Sequence, residues 1–135
     1  LDVLVVEDGA GWRKHIEHVL TELGHDVAVV PNAVVAARRV LEREPDVLIL
    51  DGNLPLGFTH QLLSWMRMSR NEHVPILVSE EPVGSIRLAV ALSLGASGVV
   101  AKGATLERWY VALRDAVAGE GAWDVAATIE TPSLS

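Results

Sequence analysis

A chain of 135 residues has the length of one domain, and a domain of that length hides about two-thirds of its unfolded surface, so it needs no covalent staples. Cysteine is absent, which excludes disulfides, zinc knuckles and thiol catalysis. With 18 Asp and Glu against 11 Lys and Arg and no basic run, the module itself is not expected to offer a nucleic-acid surface.

No apolar stretch approaches the roughly 18 residues of a membrane span, and no basic segment leads into an apolar one as in a secretory signal. A cytoplasmic setting without a membrane partner is the expectation. The first residue, Leu1, opens straight onto a strand pattern, as a trimmed fragment would.

Asp2–Val6 is predicted as the first strand. Trp12, Ile16, Val19, Leu20 and Leu23 then mark one face of a helix, with Gly24 as its stop. Asp26–Val30 is a second strand, and Asn32 is placed to cap a second helix carrying Val34, Ala37, Val40 and Leu41. A third strand is predicted at 46–50, and Phe58, Leu62, Trp65 and Met66 repeat the helical spacing after it. A fourth strand at 74–78 leads to a fourth helix at about 84–94, apolar nearly all round. The last pair is Gly98–Ala101 and a helix carrying Leu106, Trp109, Tyr110, Leu113 and Val117, closed by Gly119 and Gly121. Beyond 121 the character changes, with a short helix expected at 124–129 and a linker around Thr131, Pro132 and Ser133.

Most of the strands show little in-out alternation, as strands covered on both faces do. Strict βα alternation implies a parallel sheet with helices on both sides. In open sheets of this kind ligands sit beyond the carboxyl ends of the strands. The residues there are Glu7 and Asp8 after the first strand, Asp51 after the third, Ser79 after the fourth and Lys102 after the fifth.

Each of these types has a task in phosphoryl transfer. Clustered carboxylates repel, and a hard oxygen-liganded cation such as Mg²⁺ relieves that repulsion. A lysine adds a fixed positive charge for the transferring group, a small hydroxyl can hydrogen-bond it, and an aspartate can itself attack phosphorus. An Asp closing a strand is often only a loop cap; its company here favours the chemical reading.

The runs Val5-Val6-Glu7-Asp8, Leu48-Ile49-Leu50-Asp51-Gly52-Asn53-Leu54-Pro55, Ile76-Leu77-Val78-Ser79 and Gly95-Ala96-Ser97-Gly98-Val99-Val100-Ala101-Lys102 together resemble the receiver domains of two-component response regulators. The resemblance implies a flavodoxin-like doubly wound (βα)5 fold at 1–121, with a five-stranded parallel sheet in the order 2-1-3-4-5. It implies Asp51 as phosphoacceptor, and Mg²⁺ held by Asp8, Asp51 and the backbone carbonyl of Asn53, with Glu7 assisting through water. Ser79 and Lys102 would contact the phosphoryl group, which a sensor histidine kinase would donate. A homodimer is expected through the face made by the fourth helix, the fifth strand and the fifth helix. The segment Gly95-Ala96-Ser97-Gly98 with 109–121 is most similar to the NarL/FixJ subclass, so 122–135 would lead to a DNA-binding effector outside this chain, and DNA would be met only through it.

Four positions depart from the pattern: Glu80 stands where a small residue borders the phosphoryl pocket, Val99 replaces a switching aromatic, Gly103 follows Lys102 in place of Pro, and Thr59 replaces a frequent Gly. These favour, as the rival reading, a receiver-like scaffold that binds a partner without phosphorylation. Other rivals lack their signatures: there is no P-loop, no Asp-x-His for cobalamin, no Asp-x-Asp after strand one for a dehalogenase-like phosphatase, and no hydroxyl-rich first loop for flavin phosphate. His15 and His18 with Glu22 are read as a solvated helix face rather than a metal site, and Trp12, Trp65 and Trp109 as packing residues.

Overall fold

The computed structural model describes residues 1–80 and 95–123. Its elements run β1 (Asp2–Val6), α1 (Ala10–Glu22), β2 (Asp26–Val30), α2 (Ala33–Glu42), β3 (Val47–Asp51), α3 (Leu56–Arg67), β4 (Ile76–Glu80), β5 (Gly98–Ala101), α4 (Leu106–Val117) and β6 (Ala122–Trp123). The helix predicted at 84–94 and the one at 124–129 lie outside the described residues.

All strand pairs are parallel, and the sheet order is β2-β1-β3-β4-β5-β6. The expected order 2-1-3-4-5 is present, with one short strand added beyond β5. Two predicted strands shift toward the carboxyl end: β3 takes in Asp51, and β4 runs through Ser79 and Glu80. The chemistry-bearing residues are thus the last residues of strands, held by the ladder.

Alternation along the central strands sorts side chains onto two cores. Val3, Val5, Val47 and Ile49 join Ile16, Leu20, Trp109 and Leu113, under α1 and α4. Leu4, Val6, Leu48 and Leu50 join Ala36, Val40, Leu62 and Met66, under α2 and α3. Successive side chains of a strand point to opposite faces; carried forward by that parity, Glu7 and Asp51 leave on the α1 and α4 side.

Helix ends follow the predicted signals. Asn32 Oδ1 accepts from the Val35 N–H at 2.9 Å, and Gly24 takes φ +91° just past α1, where a side chain would be strained. Several predicted apolar faces are rotated. In α2 the buried residues are Ala33, Ala36 and Val40, while Val34 and Leu41 are exposed. Phe58 on α3 is exposed, and on α4 Ala112 and Ala116 are buried in place of Leu106, Tyr110 and Val117. In α2 the small residues face the sheet and let the helix axis approach it, and the larger Val34 and Leu41 are left at the margin.

Candidate functional site

Glu7, Asp8 and Asp51 come together at the carboxyl edge of the sheet, with one carboxylate oxygen from each lying within 4.8 Å of the others. Glu7 and Asp51 are buried and Asp8 is exposed. The Glu7 N–H donates to the Val30 carbonyl at 3.0 Å, which ties the loop after β1 to β2. The Gly9 N–H donates to Glu7 Oε2 at 3.2 Å.

Lys102, only 2% exposed, reaches the cluster from the end of β5. Its Nζ is 2.8 Å from Asp51 Oδ1 and 2.9 Å from Glu7 Oε1. The Lys102 N–H donates to the Glu80 carbonyl at 2.9 Å, so the backbone carrying this ammonium is fixed to β4. Asn53 lies on the exposed turn after β3, and its N–H donates to Asp51 Oδ1 at 2.9 Å. Ser79 is fully buried, paired in register with Asp51, and its Oγ donates to the Leu50 carbonyl at 3.4 Å. All six sequence-derived site residues therefore stand at one end of four neighbouring strands and the loops beyond them.

Burial and competition with Asp51 for one proton raise the Glu7 pKa, against the opposing pull of Lys102 and the Gly9 N–H. Burial also pushes Asp51 upward, but Glu7, the Lys102 ammonium and the Asn53 N–H outweigh it and hold Asp51 below the usual aspartate range. Burial likewise opposes the charge on Lys102, and its two carboxylate partners more than compensate. The lowered pKa favours the ionised form of Asp51, the form in which an aspartate can act as a nucleophile.

The donor set fits a hard divalent cation: oxygen ligands only, three acids, and one of them open to solvent. A buried carboxylate oxygen, Asp51 Oδ2, takes no hydrogen bond among the described residues. It has capacity left for a cation or an electrophile.

A fourth acid, Glu80, is buried at the end of β4 and packs against Gly52, the residue that follows Asp51. A Cβ on Gly52 would lie 3.0 Å from Glu80 Oε2, 3.1 Å from Glu80 Cβ and 3.3 Å from the Ser79 carbonyl oxygen. The carboxylate can rotate away; the strand cannot, and the Gly52 N–H is bonded to that same carbonyl at 2.7 Å. Gly52→Ala is expected to lower stability by about 1–3 kcal/mol, the usual cost of overpacking, as read by urea unfolding.

Sequence reasoning missed one neighbour of the site. Trp12 was grouped with packing residues, and Trp109 is indeed fully buried in the core. Trp12 is only partly buried and lies over Lys102, with the ammonium 5.7 Å from the ring centroid. Its place one turn above Ile16 on the sheet-facing side of α1 was the available signal. His18 pairs with Glu22 at 3.4 Å on an exposed face, and neither belongs to an acid or histidine cluster among the described residues.

No described helix is long and apolar enough to cross a membrane. Residues 3–114 match the family described as response regulator receiver domain. A chemotaxis protein CheY homolog of Campylobacter jejuni is 30% identical over 128 residues, covering 90% of this chain and 98% of that protein. A protein-glutamate methylesterase/protein-glutamine glutaminase of Cereibacter sphaeroides is 36% identical over 121 residues, covering 83% of this chain but 32% of the relative. Among solved structures, the receiver domain of a Pseudomonas aeruginosa sensor histidine kinase superposes with a TM-score of 0.74 at 23% identity, covering 86% of this chain and 96% of that one; it carries a magnesium ion in its active-site cleft. The NarL/FixJ subclass draws no support from these relatives, which are chemotaxis and methylesterase proteins and a kinase receiver. With most of its length matched by the family and a relative aligned from end to end, this chain belongs to the response regulator receiver domains.

Proposed function

We propose that this receiver accepts a phosphoryl group on Asp51 from a sensor histidine kinase. The observation that carries the reading is the buried Asp51 bonded to Lys102 at 2.8 Å beside Glu7 and Asp8. Asp51 attacks phosphorus in line, an O–P bond forms, and the donor's bond to phosphorus breaks with the electron pair leaving on the donor. Lys102, already desolvated, offsets charge on the transferred group. Ser79, in register with Asp51, offers its hydroxyl to a phosphoryl oxygen.

Asp8 and Asp51, with the Asn53 carbonyl and Glu7 through water, are the groups to hold Mg²⁺, which when bound screens the phosphoryl oxygens from the carboxylates. The protein assists its own phosphorylation and dephosphorylation rather than turning over an outside substrate. Added charge and acceptor oxygens at Asp51 would then bias the neighbouring loops. The exposed Leu106, Tyr110 and Val117 on α4 support an output or dimer face there, with Arg114 lying over the Tyr110 ring at 5.9 Å. Residues beyond β6 are read as the link toward an effector, whether a DNA-binding domain or an enzyme of the kind its methylesterase relatives carry. A setting inside the cell, where such kinases present their phosphohistidine, completes the reading.

Incubation with acetyl phosphate and Mg²⁺ followed by intact-mass measurement is expected to add one hydroxylamine-labile phosphoryl group, absent in Asp51→Asn. The buried Glu80 favours a second reading, a scaffold that binds its partner unphosphorylated; no added mass in the wild-type protein would establish that one instead.

A further inference from the structure

We propose that Trp12 is a positioning residue for Lys102, an aromatic wall along which the ammonium travels from carboxylate to phosphoryl oxygen. The inference rests on the reading of Asp51 as phosphoacceptor. Lys102 is buried and bonded to Glu7 and Asp51 at 2.9 and 2.8 Å, and to serve an arriving phosphoryl group it must loosen its hold on Asp51 Oδ1. An ammonium leaving a carboxylate in a dry pocket ordinarily needs water to receive it. The Trp12 ring, its centroid 5.7 Å from Nζ, offers another contact. Attraction to an aromatic face has no single bonding direction, and indole is the strongest of the aromatic partners for a cation. The ammonium can shift its hydrogen bonds while remaining against the ring.

The indole has His15 and the loop after β1 as neighbours. His15, one turn on, meets it edge-on at 5.5 Å between centroids with an interplanar angle of 76°. On the other side stands the loop after β1: a Cβ on Gly9 would lie 3.8 Å from Trp12 Cδ1 and 3.3 Å from Glu7 Oε2. Gly9 thus lies between the indole and the acid cluster, and a side chain there would crowd Glu7 Oε2 while meeting the indole at ordinary contact distance. Trp12 stands in the first turn of α1, the helix that covers the sheet face from which Glu7 and Asp51 emerge. Its partial exposure is that of a wall at the mouth of the pocket, unlike the fully buried Trp109.

Wild type, Trp12→Phe and Trp12→Leu are compared by rate of labelling with acetyl phosphate and Mg²⁺, using intact mass. Trp12→Phe, which keeps an aromatic face, is expected within about threefold of wild type, and Trp12→Leu about tenfold slower. Mg²⁺ affinity should be equal in all three, because Trp12 supplies no ligand. The Lys102 ε-CH₂ resonances should be displaced upfield by the ring in wild type and Trp12→Phe and return to ordinary values in Trp12→Leu. A purely structural role would slow both variants alike, so a Trp12→Phe rate as low as that of Trp12→Leu overturns the proposal. So does a Trp12→Leu rate equal to wild type, or a Lys102 resonance that no variant moves. Absence of labelling in the wild type instead removes the Asp51 reading on which the proposal stands.

Discussion

Lys102→Met is expected to lower the stability of the metal-free protein by about 3–5 kcal/mol at neutral pH, the range seen when one partner of a buried ion pair is removed. The ammonium is the cation that Glu7 and Asp51 share at 2.9 and 2.8 Å, and all three groups are buried. Methionine fills much the same volume, so the loss reflects charge rather than a cavity. Urea unfolding at pH 7 and at pH 5 separates the two: proton uptake by the carboxylates at the lower pH should shrink the deficit, whereas a packing defect would persist. Added Mg²⁺ should also recover part of it. The same variant should lose about a hundredfold in labelling rate, the scale of removing one preorganised group from a charge-stabilising site. An unchanged unfolding midpoint at both pH values would show that the buried pair contributes no net stability.

Glu7→Gln is expected to act in the opposite sense on stability and to weaken cation binding. An acid whose pKa is raised on folding holds its proton more tightly folded than unfolded. Its contribution is favourable in acid, declines as pH rises from the unfolded glutamate value of about 4.3, and is a net cost above the raised folded value. Asp51 runs the other way: its lowered pKa contributes stability above about 3.9 that is lost as pH falls through the folded value. Lys102, raised, keeps its contribution until pH exceeds the ordinary lysine range. As pH rises beyond the ordinary glutamate range, Glu7 is thus the group whose titration erodes the metal-free fold. In chelator, Glu7→Gln should melt higher than wild type at pH 8, with a flatter profile over that rise. Its Mg²⁺ affinity should fall by about 10- to 100-fold, as expected when a supporting group of a metal site is lost. Parallel profiles for the two proteins would assign the erosion to another group.

The site was legible because it depends on strand ends, and strand ends can be read from where an apolar run stops. Glu7, Asp51, Ser79 and Lys102 each close such a run, and a parallel sheet brings those ends to one edge whatever the helices do. Helix faces were harder. Val34, Leu41 and Phe58 have the spacing of buried residues, yet α2 turns Ala33 and Ala36 inward, and α3 buries Thr59 and Leu63 beside the expected Leu62 and Met66. Periodicity defines an apolar stripe but not its rotation, and where alanines and larger aliphatics alternate, close approach to the sheet favours the small side. The strand Ala122–Trp123 was missed for a related reason: two residues give no period, and only pairing with Gly98 and Val99 defines them. Trp12 was misjudged because spacing cannot tell the buried part of a helix face from its end, where a side chain overhangs the sheet rim.

The addition of β6 changes which backbone borders solvent on that side of the sheet. A long open ladder at β5 would invite another chain to dock by strand addition; Gly98 and Val99 are instead already paired, with Ala122 and Trp123. Strand addition directly onto that part of β5 is thereby blocked, and a neighbour reaching it must engage through side-chain chemistry, which a charge change nearby can tune.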